Sequence, residues 1–182
     1  MKHQAIVIRE REVAELQPLE VPDHAECGHL FGRTVVSLMS PGTELAYNYL
    51  GKTFPSSPGY STIFRVESIG DEVSDFEVGD LVFAMGRHQS FQHSVATETL
   101  KIPTDLKPEI AVLARLMGVS MTTLMTTTAR PGDQVLVTGA GPVGFLAAQL
   151  FRIAGYQVSV VEPDEKRREL VTECGFQTYA SI

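Results

Sequence analysis

The residues best placed to do chemistry stand together near the end of the chain: Gly139-Ala140-Gly141-Pro142-Val143-Gly144. This is G-x-G-x-x-G, a spacing suited to a turn around a pyrophosphate. Gly139 would make the tight turn. Gly141, lacking a Cβ, would let a phosphate approach the backbone, and Gly144 would let a helix pack closely on a strand. Pro142 suits a first helical turn, where its missing N–H costs nothing. From Pro142 and Val143 onward, a helix would offer free N–H groups and its positive dipole end to an anion. About 20 residues on stands Glu162, at the distance expected of a carboxylate that accepts hydrogen bonds from an adenosine ribose diol. A carboxylate there repels a 2′-phosphate, which favours NAD over NADP. Arg167 and Arg168 lie nearby and weaken that preference; Arg167 is counted with the cofactor side. The competing reading is a glycine-rich α/β turn that binds no nucleotide.

The chain has five histidines, His3, His24, His29, His88 and His93, and two cysteines, Cys27 and Cys174. No CxxC occurs, which excludes a disulfide scaffold and a four-cysteine zinc site. His24-x-x-Cys27-x-His29 has the look of a metal cluster but sits in a polar loop without a fourth ligand, and no metal is assigned to it. His88 and His93 flank Phe91.

The glycine turn needs a strand before it and a helix after it. Residues 134–138 are apolar and β-branched, and 142–154 carry an apolar helical pattern closed by Gly155 as a C′ residue. A strand at 156–161, a helix at 164–174 and a strand at 176–182 follow. That β-α-β-α-β order predicts a parallel sheet. Residues 1–103 read differently, as short strands at 4–8, 33–39, 61–69, 81–84 and 91–96, which suggests a small barrel or sandwich. Between the two lies a turn-rich stretch at 103–108. After it, Ile110, Leu113, Met117, Met121, Leu124 and Met125 fall at helical spacing, ended by Arg130-Pro131-Gly132-Asp133. Met117, Met121 and Met125 read as a buried helix face between two domains, the alternative being an adaptable binding surface.

The 182 residues carry 15 Lys and Arg against 22 Asp and Glu, a formal charge of −7. Such a chain is a poor electrostatic partner for nucleic acid or an anionic membrane. No apolar run reaches the ~18 residues of a membrane span. The apolar run at 5–8 is too short for a signal peptide, so a cytoplasmic location is expected.

Taken together, the β-rich first part, the bridging helix and the stretch GDQVLVTGAGPVG make the sequence resemble the medium-chain dehydrogenase/reductase family, which includes the zinc alcohol dehydrogenases. SPGTELA at 40–46, SPGY at 57–60, VESIGDEVSDFEVGDLVFA at 66–84 and LKIP at 100–103 extend the resemblance over essentially the whole chain. It implies α/β plus β architecture: a GroES-like β-barrel domain over 1–103, a bridging helix over 104–130, and the first β-α-β-α-β half of a Rossmann domain over 131–182. Substrate and nicotinamide would meet in the cleft between them.

Two departures qualify the resemblance. Zinc members place Cys before Gly-Thr-Asp; here Pro41 precedes Gly42-Thr43-Glu44. Their Gly-His-Glu is Gly59-Tyr60-Ser61 here, and no Cys, Asp, Glu or His occurs between Glu109 and Asp133. The cysteine-rich structural lobe is replaced by residues 85–90. Neither catalytic nor structural zinc is therefore expected. By alignment Thr43 takes the proton-relay position and Tyr60 a lost ligand position. Thr43 and Tyr60 would orient the substrate oxygen, with His88 or His93 as proton carrier; alternatively Tyr60 plugs the vacant metal position, and the histidines serve packing or the surface. Glu44 would brace a loop. The second departure is length. The family runs to about twice this size, so the chain is expected to be a fragment, completed by a C-terminal half or by oligomerisation.

These features imply a zinc-independent, nicotinamide-dependent oxidoreductase acting on a small-molecule carbonyl, alcohol or activated alkene. The alternative is a non-catalytic nucleotide-binding or interaction module that keeps the fold without the chemistry.

Overall fold

The structure, a computed structural model, describes residues 3–182. The expected first domain begins at Met1, which with Lys2 lies outside the described residues. The chain divides into two compact units, one ending at Leu113 and the other running Ala114–Ile182.

In the first unit, β1 (Gln4–Glu10) and β2 (Val13–Pro18) form an antiparallel hairpin. A five-stranded antiparallel sheet contains β3 (His29–Ser37), β4 (Thr62–Ile69), β5 (Leu81–Ala84), β6 (Phe91–Val95) and β7 (Leu100–Lys101) in the order β6-β3-β4-β5-β7. β4 is central, and its period of two feeds two cores. Phe64 and Val66 join Leu30, Val82, Ala84 and Ala96. Ile63, on the opposite face, joins Ile102, Ala111 and Val112. Burying a side chain such as Phe64 stabilises the unit by roughly 1.5–3 kcal/mol. Between β3 and β4 the chain forms a short helix, α1 (Pro41–Glu44), continued by a π-helical turn at Leu45–Tyr49. A second short helix, α2 (Pro108–Ala111), closes the unit's second core.

The second unit contains α3 (Ala114–Thr126), β8 (Gln134–Thr138), α4 (Pro142–Ile153), β9 (Gln157–Val161), α5 (Glu165–Glu173) and β10 (Gln177–Tyr179). The three strands pair in parallel in the order β10-β9-β8. Ala148 of α4, Val160 of β9, Val171 of α5 and Phe176 form its core, with Val137 against them. The alternate β8 residue, Leu136, is on the other face and exposed.

The expected burial of the methionine face is not found: Met117 and Met121 are exposed and Met125 is 78% exposed. The buried residues of α3 are Leu116 and Ser120, and the Ser120 hydroxyl donates to the Val143 carbonyl at the start of α4 (3.1 Å). That contact face lies one position round the helix from the methionines, about 100° away. A second correction concerns apolar length. Pro108–Thr126 is long and apolar enough to cross a membrane by length and composition alone, although core helices of soluble proteins meet the same test. The stretch holds Glu109 and Arg115 and is broken between α2 and α3.

Candidate functional site

β8 ends at Thr138 and the chain reverses at Gly139, whose φ of 89° is a conformation that side-chain-bearing residues rarely adopt. The Gly139 N–H donates to the Val161 carbonyl (2.7 Å), tying the turn to the end of β9. A Cβ on Gly144 would stand 2.0 Å from the Gly139 oxygen, so α4 can cross the turn this closely only with glycine there. A Cβ on Gly141 would meet nothing within 4 Å. Among the described residues no side chain caps the N-terminus of α4 at Gly141, whereas the Asp164 carboxylate caps α5 by accepting from the Arg167 N–H (2.9 Å). α4 thus begins with N–H groups, Val143 and Gly144 among them, that no side chain covers.

Glu162 follows directly on β9 and is 5% exposed. One carboxylate oxygen accepts from the Ala140 N–H (2.6 Å), the other from the Asp164 N–H (2.9 Å). The acid read as a sugar-holding group is therefore itself bonded to the glycine turn, with further lone pairs on each oxygen. The Ala140 N–H, then that of Asp164, holds the Glu162 carboxyl below its ordinary value; burial opposes this, Arg167 assists and the Asp164 charge opposes. A depressed carboxyl stabilises the fold above its unfolded pKa and loses that contribution as pH falls through the folded value. Below about pH 4.5, the ordinary value, the second unit of the natural chain should therefore lose stability faster than that of Glu162→Gln. Calorimetric melts at stepped pH measure this; parallel curves for the two proteins would refute the linkage. Arg168 is committed elsewhere, its guanidinium donating to the carbonyls of Glu162 (2.8 Å) and Pro163 (3.0 Å). Arg167 is exposed and lines, with Ala140, Pro142, Phe145 and Leu170, a cavity of about 430 Å³.

In the first unit Thr43 lies on α1 and is exposed, while Glu44 beside it is buried. The Glu44 carboxylate accepts from the Ser40 N–H (2.9 Å) and lies 2.8 Å from His88 Nε2. His88 Nδ1 lies 2.8 Å from the Ser37 hydroxyl at the end of β3. A continuous Ser37–His88–Glu44 chain results. Backbone bonds fix its middle: the His88 N–H donates to Pro58 and its carbonyl accepts from Ile6. Gly59, at φ 103°, packs against this same backbone and leads into half-buried Tyr60. Glu44 and His88 also line a cavity of about 320 Å³ whose other walls include Ile6, Ile8, Met39 and Tyr49. His88 and His93 have different partners. His93 is exposed on β6, stacked on His29 with ring centroids 4.6 Å apart.

Sequence reasoning missed Ser37 and the pairing of Glu44 with His88. These residues lie 51 and 44 positions from His88, and no local spacing joins them.

No family model matches the chain. Among curated proteins it is 28% identical over 152 residues to L-threonine 3-dehydrogenase of Thermococcus kodakarensis, covering 66% of this chain and 43% of the relative. It is 31% identical over 128 residues to quinone oxidoreductase of Rattus norvegicus, covering 66% and 39%. The chain thus spans about two fifths of the length of the curated relatives it matches. Solved structures of dehydrogenases share its fold. A putative zinc-binding dehydrogenase from Sinorhizobium meliloti 1021 bound to NADP has a TM-score of 0.84 at 16% identity, over 100% of this chain and 62% of that one. An alcohol dehydrogenase from E. coli CFT073 complexed with NADH has a TM-score of 0.83 at 18% identity, over 98% and 63%.

Proposed function

We propose that this chain, which belongs to the medium-chain dehydrogenase/reductase family, carries the dinucleotide-binding turn and substrate-side residues of a zinc-independent oxidoreductase. Its first unit corresponds in this reading to the GroES-like barrel and its second to the first half of a Rossmann domain. Because the chain spans two fifths of its curated relatives, the reaction is assigned to the whole protein. That reaction is hydride transfer between a nicotinamide and a carbonyl, an alcohol carbon or an activated alkene.

The observation that carries the reading is the Gly139–Gly144 turn: open space at Gly141, an uncapped α4 N-terminus, and a carboxylate fixed beside them. These residues fit a dinucleotide. Gly141, Val143 and Gly144 would face the diphosphate, Glu162 the ribose, and Arg167 the edge of the site. NAD is preferred because Glu162 opposes a 2′-phosphate and Arg168 is occupied by backbone carbonyls. Bound nicotinamide would supply or accept the hydride at C4. Thr43 and Tyr60 would orient the substrate oxygen by hydrogen bonds, the task a Lewis-acid metal performs in zinc enzymes. The residues at the family's ligand positions, Pro41 and Tyr60, do not suit zinc. His88, held by Glu44 and Ser37, would keep a proton available at Nε2 or Nδ1.

Calorimetric titration of the 182-residue chain with ADP, NADH and NADPH tests this. ADP and NADH should compete for one site, and NADPH should bind at least tenfold more weakly. Absence of ADP-competitive binding would end the dinucleotide reading, and equal affinity for NADPH would end the NAD preference.

A further inference from the structure

We propose that Glu26, His29 and His93 form a binding site for a divalent transition cation of the Zn²⁺ class on the first unit. One donor atom from each of these three residues lies within 4.8 Å of the others. A tetrahedral ion with bonds near 2.0–2.1 Å wants its ligands about 3.3 Å apart. Small rotations of the exposed Glu26 and His93 side chains supply that contraction.

The site is built into the sheet. His29 opens β3 and His93 lies on β6; the register pairs His29 with Val95 and Phe31 with His93. The two histidines are therefore diagonal neighbours on one face. Their rings stack with centroids 4.6 Å apart and 28° between planes, so the pair is held side by side, and binding an ion would turn the exposed His93 ring out of the stack until both in-plane lone pairs meet. Glu26 reaches them from the preceding turn, where its carbonyl accepts from the His29 N–H (3.0 Å). The turn is pinned on both sides: the Gly28 N–H donates to Asp71, the Gly28 carbonyl accepts from Ala96, and the His29 carbonyl accepts from Gly70.

The orientation of His29 is the second observation. Its Nδ1 lies 2.9 Å from the Cys27 carbonyl. A carbonyl can only accept, so Nδ1 carries the proton and Nε2 presents its lone pair, the arrangement in which metal-bound histidines are held. Two imidazole nitrogens and one carboxylate suit Zn²⁺, Co²⁺, Ni²⁺ or Cu²⁺ and not Mg²⁺ or Ca²⁺, which take oxygen ligands. Three protein ligands leave a position for water.

This revises the expectation for His24-x-x-Cys27-x-His29. Of those three residues only His29 belongs to the cluster. The Cys27 thiol is not one of the three clustered donors; what Cys27 contributes is the carbonyl that holds His29 Nδ1. The partner that completes the site, His93, is 64 positions away and is brought there by strand pairing.

The test is calorimetric titration of the untagged full chain with ZnCl₂, with MgCl₂ as control. One Zn²⁺ per chain should bind with micromolar affinity, and Mg²⁺ should give no saturable heat. Glu26→Gln and His93→Asn should each weaken Zn²⁺ binding at least tenfold with an unchanged melting temperature in the absence of metal; His24→Asn should leave it unchanged. In ¹H–¹⁵N spectra of the ring nitrogens, Zn²⁺ should shift His29 and His93 first. Absence of saturable binding, binding that survives Glu26→Gln and His93→Asn, or its loss in His24→Asn would overturn the proposal. None of these readouts involves a dinucleotide, so the site stands or falls apart from the proposed oxidoreductase function.

Discussion

Gly141→Val is expected to abolish dinucleotide binding while the protein stays folded. Gly141 has φ −67° and ψ 176°, an extended conformation that a β-branched residue adopts readily. A Cβ there would touch no atom within 4 Å. The valine therefore enters open space, the space a diphosphate would need against the backbone. Affinity for ADP and NADH should fall by about 100-fold or more, which is about 2.7 kcal/mol. Valine is a poor N-cap compared with glycine, so the fold should lose only about 1 kcal/mol. The contrast with Gly144 makes the experiment informative. There an added Cβ would collide with the Gly139 oxygen at 2.0 Å, so lost binding in Gly144→Ala would report a displaced helix. Unaltered ADP affinity in Gly141→Val would refute the phosphate-binding role of the turn.

Glu44→Ala carries the largest expected cost in stability. The side chains of His88 and Glu44 are 5% and 9% exposed, and their contact is 2.8 Å. Removing the carboxylate leaves both His88 Nε2 and the Ser40 N–H without this acceptor. Leaving a buried donor without its acceptor costs about 1–3 kcal/mol, and two donors lose theirs here. In a protein of this size that is a fall in Tm on the order of 10 °C. Glu44→Gln should retain much of the stability, since its amide oxygen can still accept. Glu44→Ala with His88→Ala should cost less than the two single changes summed. Differential scanning calorimetry reads all four proteins; strict additivity would show that the contact does not couple the two residues.

Legibility in the sequence followed the reach of each interaction. β5 and β8 were read with the limits they have, because Gly79-Asp80 and Arg130-Pro131-Gly132-Asp133 mark where they start. The glycine turn was legible for the same reason: strand, turn and helix are contiguous. β2 was missed because most of its residues are exposed, leaving little apolar alternation to detect. β3 starts at His29, four residues before the expected 33, since Gly32 resembles a break and is in fact paired with Val66. α1 and its π-helical continuation were hidden by Pro41-Gly42, which reads as a turn. The Ser37–His88–Glu44 chain and the Glu26–His29–His93 cluster depend on tertiary pairing across tens of residues. The methionines show the opposite failure, where helical spacing located α3 but neither the break at 112–113 before it nor the face that is covered.

One consequence follows from the way the glycine turn is held. Its first residue is bonded to Val161 and its second to Glu162, so both bonds anchor it to the end of a neighbouring strand. The entropy lost in ordering this loop is met during folding. An incoming ligand would have to surrender only its own freedom, and affinity there would be governed by preorganisation rather than by closure around the guest.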